Sequence, residues 1–217
     1  MNKFNIVLSV FFAFVLILIP FSFFALSTSY QSSLLAKQGV LSYPENRVAW
    51  NSVAAYLDGD SELNQSIFTE REILHMTDVR LLLDILRYLV MLMLTIFIVL
   101  TVFEAISVKW IGLVWTAMVG AVVALVLALL KLIVLAFAFD IMFILFHKIF
   151  FLNNLWILDS SSALIKLFSP QFFSNIVLNS LLTTIIISLL IIIVSGFVLY
   201  NEHLKERKSW GKLWRVY

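Results

Sequence analysis

Four stretches of this chain are apolar for long enough to cross a bilayer as helices: 4–26, about 86–106, 111–139 and 176–199. A hydrocarbon core takes about 20 helical residues, and backbone that meets lipid must satisfy its own N–H and C=O groups. Composition points the same way, with 62% hydrophobic and 13% charged residues against about 25% charged in a soluble domain. The fold expected is an all-α integral membrane protein with four transmembrane helices and a small helical extracytoplasmic cap. A net charge of +2 is too small to imply nucleic acid. Cysteine is absent, which removes disulfides, thiolate metal ligands and a cysteine nucleophile.

Orientation follows from the basic residues near the helix ends. Lys3, Lys109 in the tight connection between the second and third runs, and Lys205, Arg207, Lys208, Lys212 and Arg215 in the tail fall on one side if both termini are cytoplasmic. The layout is then 1–26 as N-terminus and first helix, 27–83 as cap segment, and 84–139 as the second and third helices with a short cytoplasmic turn. Residues 140–175 follow as a second extracytoplasmic segment, 176–200 as the fourth helix and 201–217 as a basic tail. Ala25-Leu26-Ser27 would pass as a signal cleavage site, but the preceding run exceeds the roughly 7 to 15 apolar residues of a signal peptide, so an anchor is expected. In the tail, Trp210, Leu213, Trp214 and Tyr217 recur at i, i+3, i+4, i+7, the pattern of an amphipathic helix lying on the inner leaflet.

The outward segments carry helix punctuation. Ser42-Tyr43-Pro44-Glu45 has the form of a capping box with proline in the first turn, and Asp58-Gly59 is a stop, which predicts a helix over 43–57. Thr69-Glu70-Arg71-Glu72 is a second capping box, starting a helix from 70 that runs into the second span. Asp159 or a following serine caps a short helix ending near Phe168, and Ser169-Pro170 opens the run into the fourth span.

The segment FTEREILHMTDVR, 68–80, gathers titratable groups at the lip of a membrane helix. On a helix, Glu72, His75 and Asp78 follow at three-residue steps and share a face. A carboxylate beside an imidazole fixes its tautomer and raises its basicity, as a general base requires. The plainer reading is a rim of i, i+4 ion pairs such as Arg80 with Asp84. In the second outward segment His147 lies two helical turns after Asp140, followed by Asn153, Asn154, Trp156 and Asp159. Such aromatics also suit a headgroup belt. Lys131, inside the third run, is expected to snorkel outward or to pair with Asp140, and His203 is a tail surface residue. No H-E-x-x-H, G-x-S-x-G or Walker loop occurs. His75, His147 and a carboxylate could alternatively hold zinc.

The segments HMTDVR, 75–80, and FHKIFFLNNLWILD, 146–159, together with the four spans and the outward cap, resemble the lipoprotein intramolecular transacylase (Lit) family of Gram-positive bacteria. Members act in the cell membrane on a lipoprotein whose N-terminal cysteine carries a diacylglyceryl group and a free amine, and move the sn-2 acyl chain to that amine to give the lyso-form. The resemblance implies a diacylglyceryl lipoprotein substrate, membrane lipids as surroundings, no cofactor and no metal. It places the two functional histidines at His75 and His147. Glu72, Asp78, Arg80, Asn153, Asn154, Trp156 and Asp159 are the supporting candidates, with His75 as base and His147 stabilising the oxyanion or protonating the glycerol oxygen. The amine and the ester belong to one molecule, so orientation supplies much of the rate and no enzyme nucleophile is needed. Two other readings stay open: a non-catalytic receptor or assembly partner, and a small transporter using Lys131 and Asp140. Oligomeric state is not legible.

Overall fold

The computed structural model of the chain describes residues 3–107 and 110–213. Its elements are the α-helices α1 (Lys3–Leu26), α2 (Thr28–Lys37), α3 (Pro44–Asp58), α4 (Glu70–Ser107), α5 (Trp110–Phe150), α6 (Ala163–Leu167) and α7 (Pro170–Leu213), with a 3₁₀ turn at Val40–Ser42. No strand occurs among the described residues. α1, α4, α5 and α7 are each long and apolar enough to cross a membrane, and α4 and α5 leave much of their apolar surface exposed, with Ile106 at 83% and Phe137 at 86%. Side chains this greasy are stable outward only against lipid. The chain is a multi-pass helical membrane protein, as its apolar runs predict.

The helix boundaries test the punctuation. At Thr69 the capping box forms: Glu72 Oε2 accepts from the Thr69 N–H at 2.8 Å and from its hydroxyl at 2.9 Å, and α4 runs unbroken from 70 into the membrane-length run. The box expected at Ser42 does not form. Pro44 takes the first helical position and holds Tyr43 in an extended conformation (φ −85°, ψ 124°), so Tyr43 becomes the N-cap without a side-chain bond. α3 stops at Gly59, whose φ of 90° suits glycine and brings the Asp60 N–H to the Ala55 carbonyl at 2.8 Å. Between the two α6 caps considered, Ser162 is used, its hydroxyl accepting from the Ile165 N–H at 3.2 Å. α5 remains helical to Phe150 except at Ala138 (φ −137°, ψ 20°), next to the point where the third span was expected to end. Lys109, Trp214 and Tyr217 lie outside the described residues, and with them the amphipathic face of the tail.

The chain divides into two compact units. The first comprises residues 1–20, 90–131 and 181–217. Ala13, Leu16, Ala121 and Ala124 form its core. At Gly120 the helices α1 and α5 come so close that a Cβ would lie 2.7 Å from the Ser9 carbonyl oxygen. Small residues permit such backbone approach where no hydrophobic effect drives helices together. Beside this contact sits a buried polar knot that sequence reading missed: Glu104 Oε1 accepts from Asn5 Nδ2 and, at 3.2 Å, from the Thr116 hydroxyl.

The second unit comprises residues 21–89 and 132–180. Its core gathers Leu35, Trp50, Val53, Phe68, Leu167 and Phe172 from α2, α3, α6, the start of α7 and the loop before α4. The ion pairs among the described residues are Asp84–Arg87 at 2.5 Å and Glu202–Lys205 at 2.7 Å. The expected Arg80–Asp84 pair is replaced by Arg87, which also reaches the Leu57 carbonyl at 3.2 Å. Lys131, at the edge of the first unit, is exposed.

Candidate active site

The two histidines and all their supporting candidates belong to the second unit, whereas Lys131 of the transporter reading belongs to the first. α4 advances about 100° per residue, so relative to His75 the residues Arg71 and Asp78 fall on one flank and Glu72 on the other. The three-residue spacing thus puts Glu72 and Asp78 on opposite sides of the imidazole, where they do different work.

On one flank, Glu72 is 1% exposed and fully engaged. Besides capping α4 at Thr69, its Oε1 accepts from the Leu164 N–H at 3.0 Å, tying the first turn of α6 to the first turn of α4. It therefore serves as a double helix cap, and the expectation that it orients His75 is not met. On the other flank, Asp78 Oδ2 accepts from Asn153 Nδ2 at 2.9 Å. This carboxylate holds the loop that follows α5, whereas the buried His75 Nδ1 has no hydrogen-bond partner among the described residues.

His75 and His147 meet. Their ring centroids are 6.3 Å apart, with planes at 33°, and each residue is 8% exposed. His147 sits in the last turn of α5, where its Nδ1 is 2.7 Å from the Phe143 carbonyl. A carbonyl only accepts, so Nδ1 carries the hydrogen and the neutral ring keeps its lone pair on Nε2. Aromatic rings enclose the pair: Phe143 at 4.3 Å and Trp156 at 4.9 Å from His147, and Phe151 at 5.2 Å from His75.

The remaining candidates divide. Asn153, Asn154 and Trp156 lie in the loop that follows α5; Asn153 Oδ1 accepts from the Leu155 N–H at 3.0 Å, and the Asn154 carbonyl accepts from Arg71 Nη2. Arg71 was missed as a site residue, although it shares the helical face of His75 and Asp78. Phe143 was missed because a backbone carbonyl leaves no trace in residue type. Arg80 is placed elsewhere, its guanidinium 4.8 Å over the Tyr56 ring of α3. Asp159 contributes a carbonyl to the turn before α6, accepting from the Ser162 N–H at 2.9 Å. Among the described residues no group of three or more His, Asp or Glu side chains is gathered to hold a metal ion.

An apolar cleft of about 290 Å³ opens between α5 and α7, lined by Leu132, Leu135, Ala136, Ser174 and Leu178. Phe143, which supports His147, contacts Phe173 of α7 at 5.4 Å.

Four membrane-length helices and a buried imidazole pair set in aromatic walls define a multi-pass helical membrane protein whose distinctive groups are two histidines from different helices. A family model described as lipoprotein intramolecular transacylase Lit matches residues 2–173. The chain belongs to the Lit family and is an acyltransferase. Its fold is similar to the in meso structure of the membrane integral lipoprotein intramolecular transacylase Lit from Bacillus cereus, with a TM-score of 0.74 and 17% identity over 95% of this chain and 96% of that one. Two structures of that protein with one histidine changed to arginine or to alanine give TM-scores of 0.70 at 16% identity. They cover 93% of this chain, and 93% and 94% of theirs. No curated protein matches the sequence.

Proposed function

We propose that this chain moves the sn-2 acyl chain of a diacylglyceryl-modified lipoprotein from glycerol to the free α-amine of the N-terminal cysteine, giving the lyso-form, with His75 and His147 as the acid–base pair. The observation that carries this reading is the facing of two buried imidazoles contributed by α4 and α5. The tautomer at His147 supports a change of roles from those read in the sequence. With Nδ1–H donating to Phe143, His147 Nε2 is the free base, while His75 has a ring N–H to offer.

In the reaction, His147 Nε2 takes a proton from the α-amine as its nitrogen attacks the ester carbonyl carbon. The oxyanion of the tetrahedral intermediate accepts a hydrogen bond from His75. The carbon–oxygen bond to glycerol then breaks, and His147 returns its proton to the departing glycerol oxygen. One amide forms, one ester is lost, and the enzyme ends as it began. Amine and ester already share a molecule, so holding them in line is the main demand on the protein. The aromatic walls exclude water, which strengthens the hydrogen bond to the oxyanion and spares the ester from hydrolysis.

Both termini are placed in the cytoplasm, with the 27–83 and 140–175 segments on the outer side. That puts the imidazoles at the level of the cysteine amine while the acyl chains remain among lipid. The test is expression in a host that makes diacyl lipoproteins, followed by mass spectrometry of the N-terminal lipopeptide. The expected product carries one acyl chain on the amine and one on glycerol. Two acyl chains on glycerol with a free amine would overturn the reading.

A further inference from the structure

Both imidazoles are 8% exposed, yet the loop that covers them is itself poorly buried. Leu152 is fully exposed, and Asn153, Asn154 and Ile157 are exposed; Phe151 alone among residues 151–154 is buried. Burial at Phe151 and Leu158 anchors the two ends of this loop, but the 152–154 turn between them has almost no apolar burial to hold it over the pair. What holds it is polar. Arg71 and Asp78 are seven residues apart on α4, two turns, with His75 between them on the same face. Arg71 Nη2 donates to the Asn154 carbonyl, and Asp78 Oδ2 accepts from Asn153 Nδ2 at 2.9 Å. Asn153 relays this hold, since its Oδ1 accepts from the Leu155 N–H at 3.0 Å and so turns the chain. The next residue is Trp156, whose ring lies 4.9 Å from that of His147.

We propose that Arg71 and Asp78 are positioning residues for acyl transfer: a two-point clamp from α4 that seats the Asn153–Trp156 turn and, through Trp156, fixes the ring of His147 opposite His75. The proposal rests on the acyl-transfer reading above. Each clamp point is one hydrogen bond at an exposed position. The partners differ in what they demand. The Asn154 carbonyl needs a donor and the Asn153 amide needs an acceptor, so Arg71→Lys with Asp78→Asn keeps both functions and Arg71→Ala with Asp78→Ala removes both.

The experiment uses the full chain in lipid nanodiscs with a synthetic diacylglyceryl lipopeptide, labelled with 5-fluorotryptophan. The chain has six tryptophans, and Trp156→Phe assigns the fluorine resonance of position 156. The double alanine variant is expected to lower kcat about tenfold or more, as misplacement of a catalytic group does, with KM changed less than about threefold on the same argument. It should shift the Trp156 resonance and leave the other tryptophan resonances in place, and the Lys/Asn variant should restore both kcat and the resonance. A global loss of fold would move every tryptophan, which separates positioning from simple destabilisation. An unmoved Trp156 resonance in the double alanine variant, or an unchanged kcat with a moved resonance, overturns the clamp. If the wild-type protein leaves the lipopeptide unchanged, it is the acyl-transfer reading that fails, and the fluorine spectra still decide whether α4 seats the loop.

Discussion

Glu72 separates two physical accounts of the same residue. Its carboxylate, 1% exposed, accepts three hydrogen bonds, two from Thr69 and one from the Leu164 N–H. Replacing it with alanine strands the buried Leu164 donor, which costs about 1.5–3 kcal/mol because its acceptor was charged. It also removes the α4 capping box, worth about 1 kcal/mol. The total is about 2.5–4 kcal/mol, which for a chain of this length corresponds to a melting shift of roughly 5–16 °C on the scale of soluble domains. Glu72→Gln keeps one acceptor and should lose about half as much. Thermal unfolding of the purified protein in detergent, followed by tryptophan emission, measures the shift. Turnover per folded molecule, measured well below the melting point, should fall only a few-fold in both variants. A variant that melts with the wild type while losing its turnover would refute the double-cap account and return Glu72 to the role of orienting His75.

Three further outcomes follow. His147→Ala should lower lyso-form production by about 10²–10⁴, the contribution of a general base, and His147→Gln should be no better, since an amide cannot carry the proton. His75→Gln should retain more activity than His75→Ala, because an amide can still donate to the oxyanion; lipopeptide mass spectrometry reads both, and the opposite ranking would exchange the roles. In the first unit, Glu104→Leu removes the carboxylate that accepts from both the Asn5 amide and the Thr116 hydroxyl, leaving between them the longer Asn5 Nδ2 to Thr116 Oγ1 bond at 3.3 Å, and should lower stability by about 1–3 kcal/mol. Glu104→Gln, which keeps a carbonyl, should lose less in the same melting assay.

How the site was legible can be followed residue by residue. His75 and His147 were readable as a pair because each is the one histidine of a segment expected to face outward and each lies in a motif that resembles the Lit family. The face shared by His75 and Asp78 was readable from helical spacing, as was the capping box at Thr69. Spacing did not reveal that Glu72 and Asp78 flank the imidazole on opposite sides and so meet different neighbours, α6 on one and the 153–154 turn on the other. Arg80 was over-read because charge near a motif suggests function, whereas its position five residues from His75 turns it toward Tyr56. Glu104 was passed over because one carboxylate hardly lowers the hydropathy of a long apolar run.

The sequence by itself determined the number of membrane-length helices, most of their starts and stops, and the family. Those depend on local quantities: twenty apolar residues in a row, a proline or glycine at a boundary, and a motif within one segment. Only the tertiary structure decided which groups hold the imidazoles and what each carboxylate does. The Glu72–Leu164 bond joins residues 92 apart and Asp78–Asn153 joins residues 75 apart, and the tautomer of His147 is set by a carbonyl that every residue possesses. Pairings of that kind are chosen by packing, which brings one donor rather than another to a buried acceptor, and no local pattern records the choice.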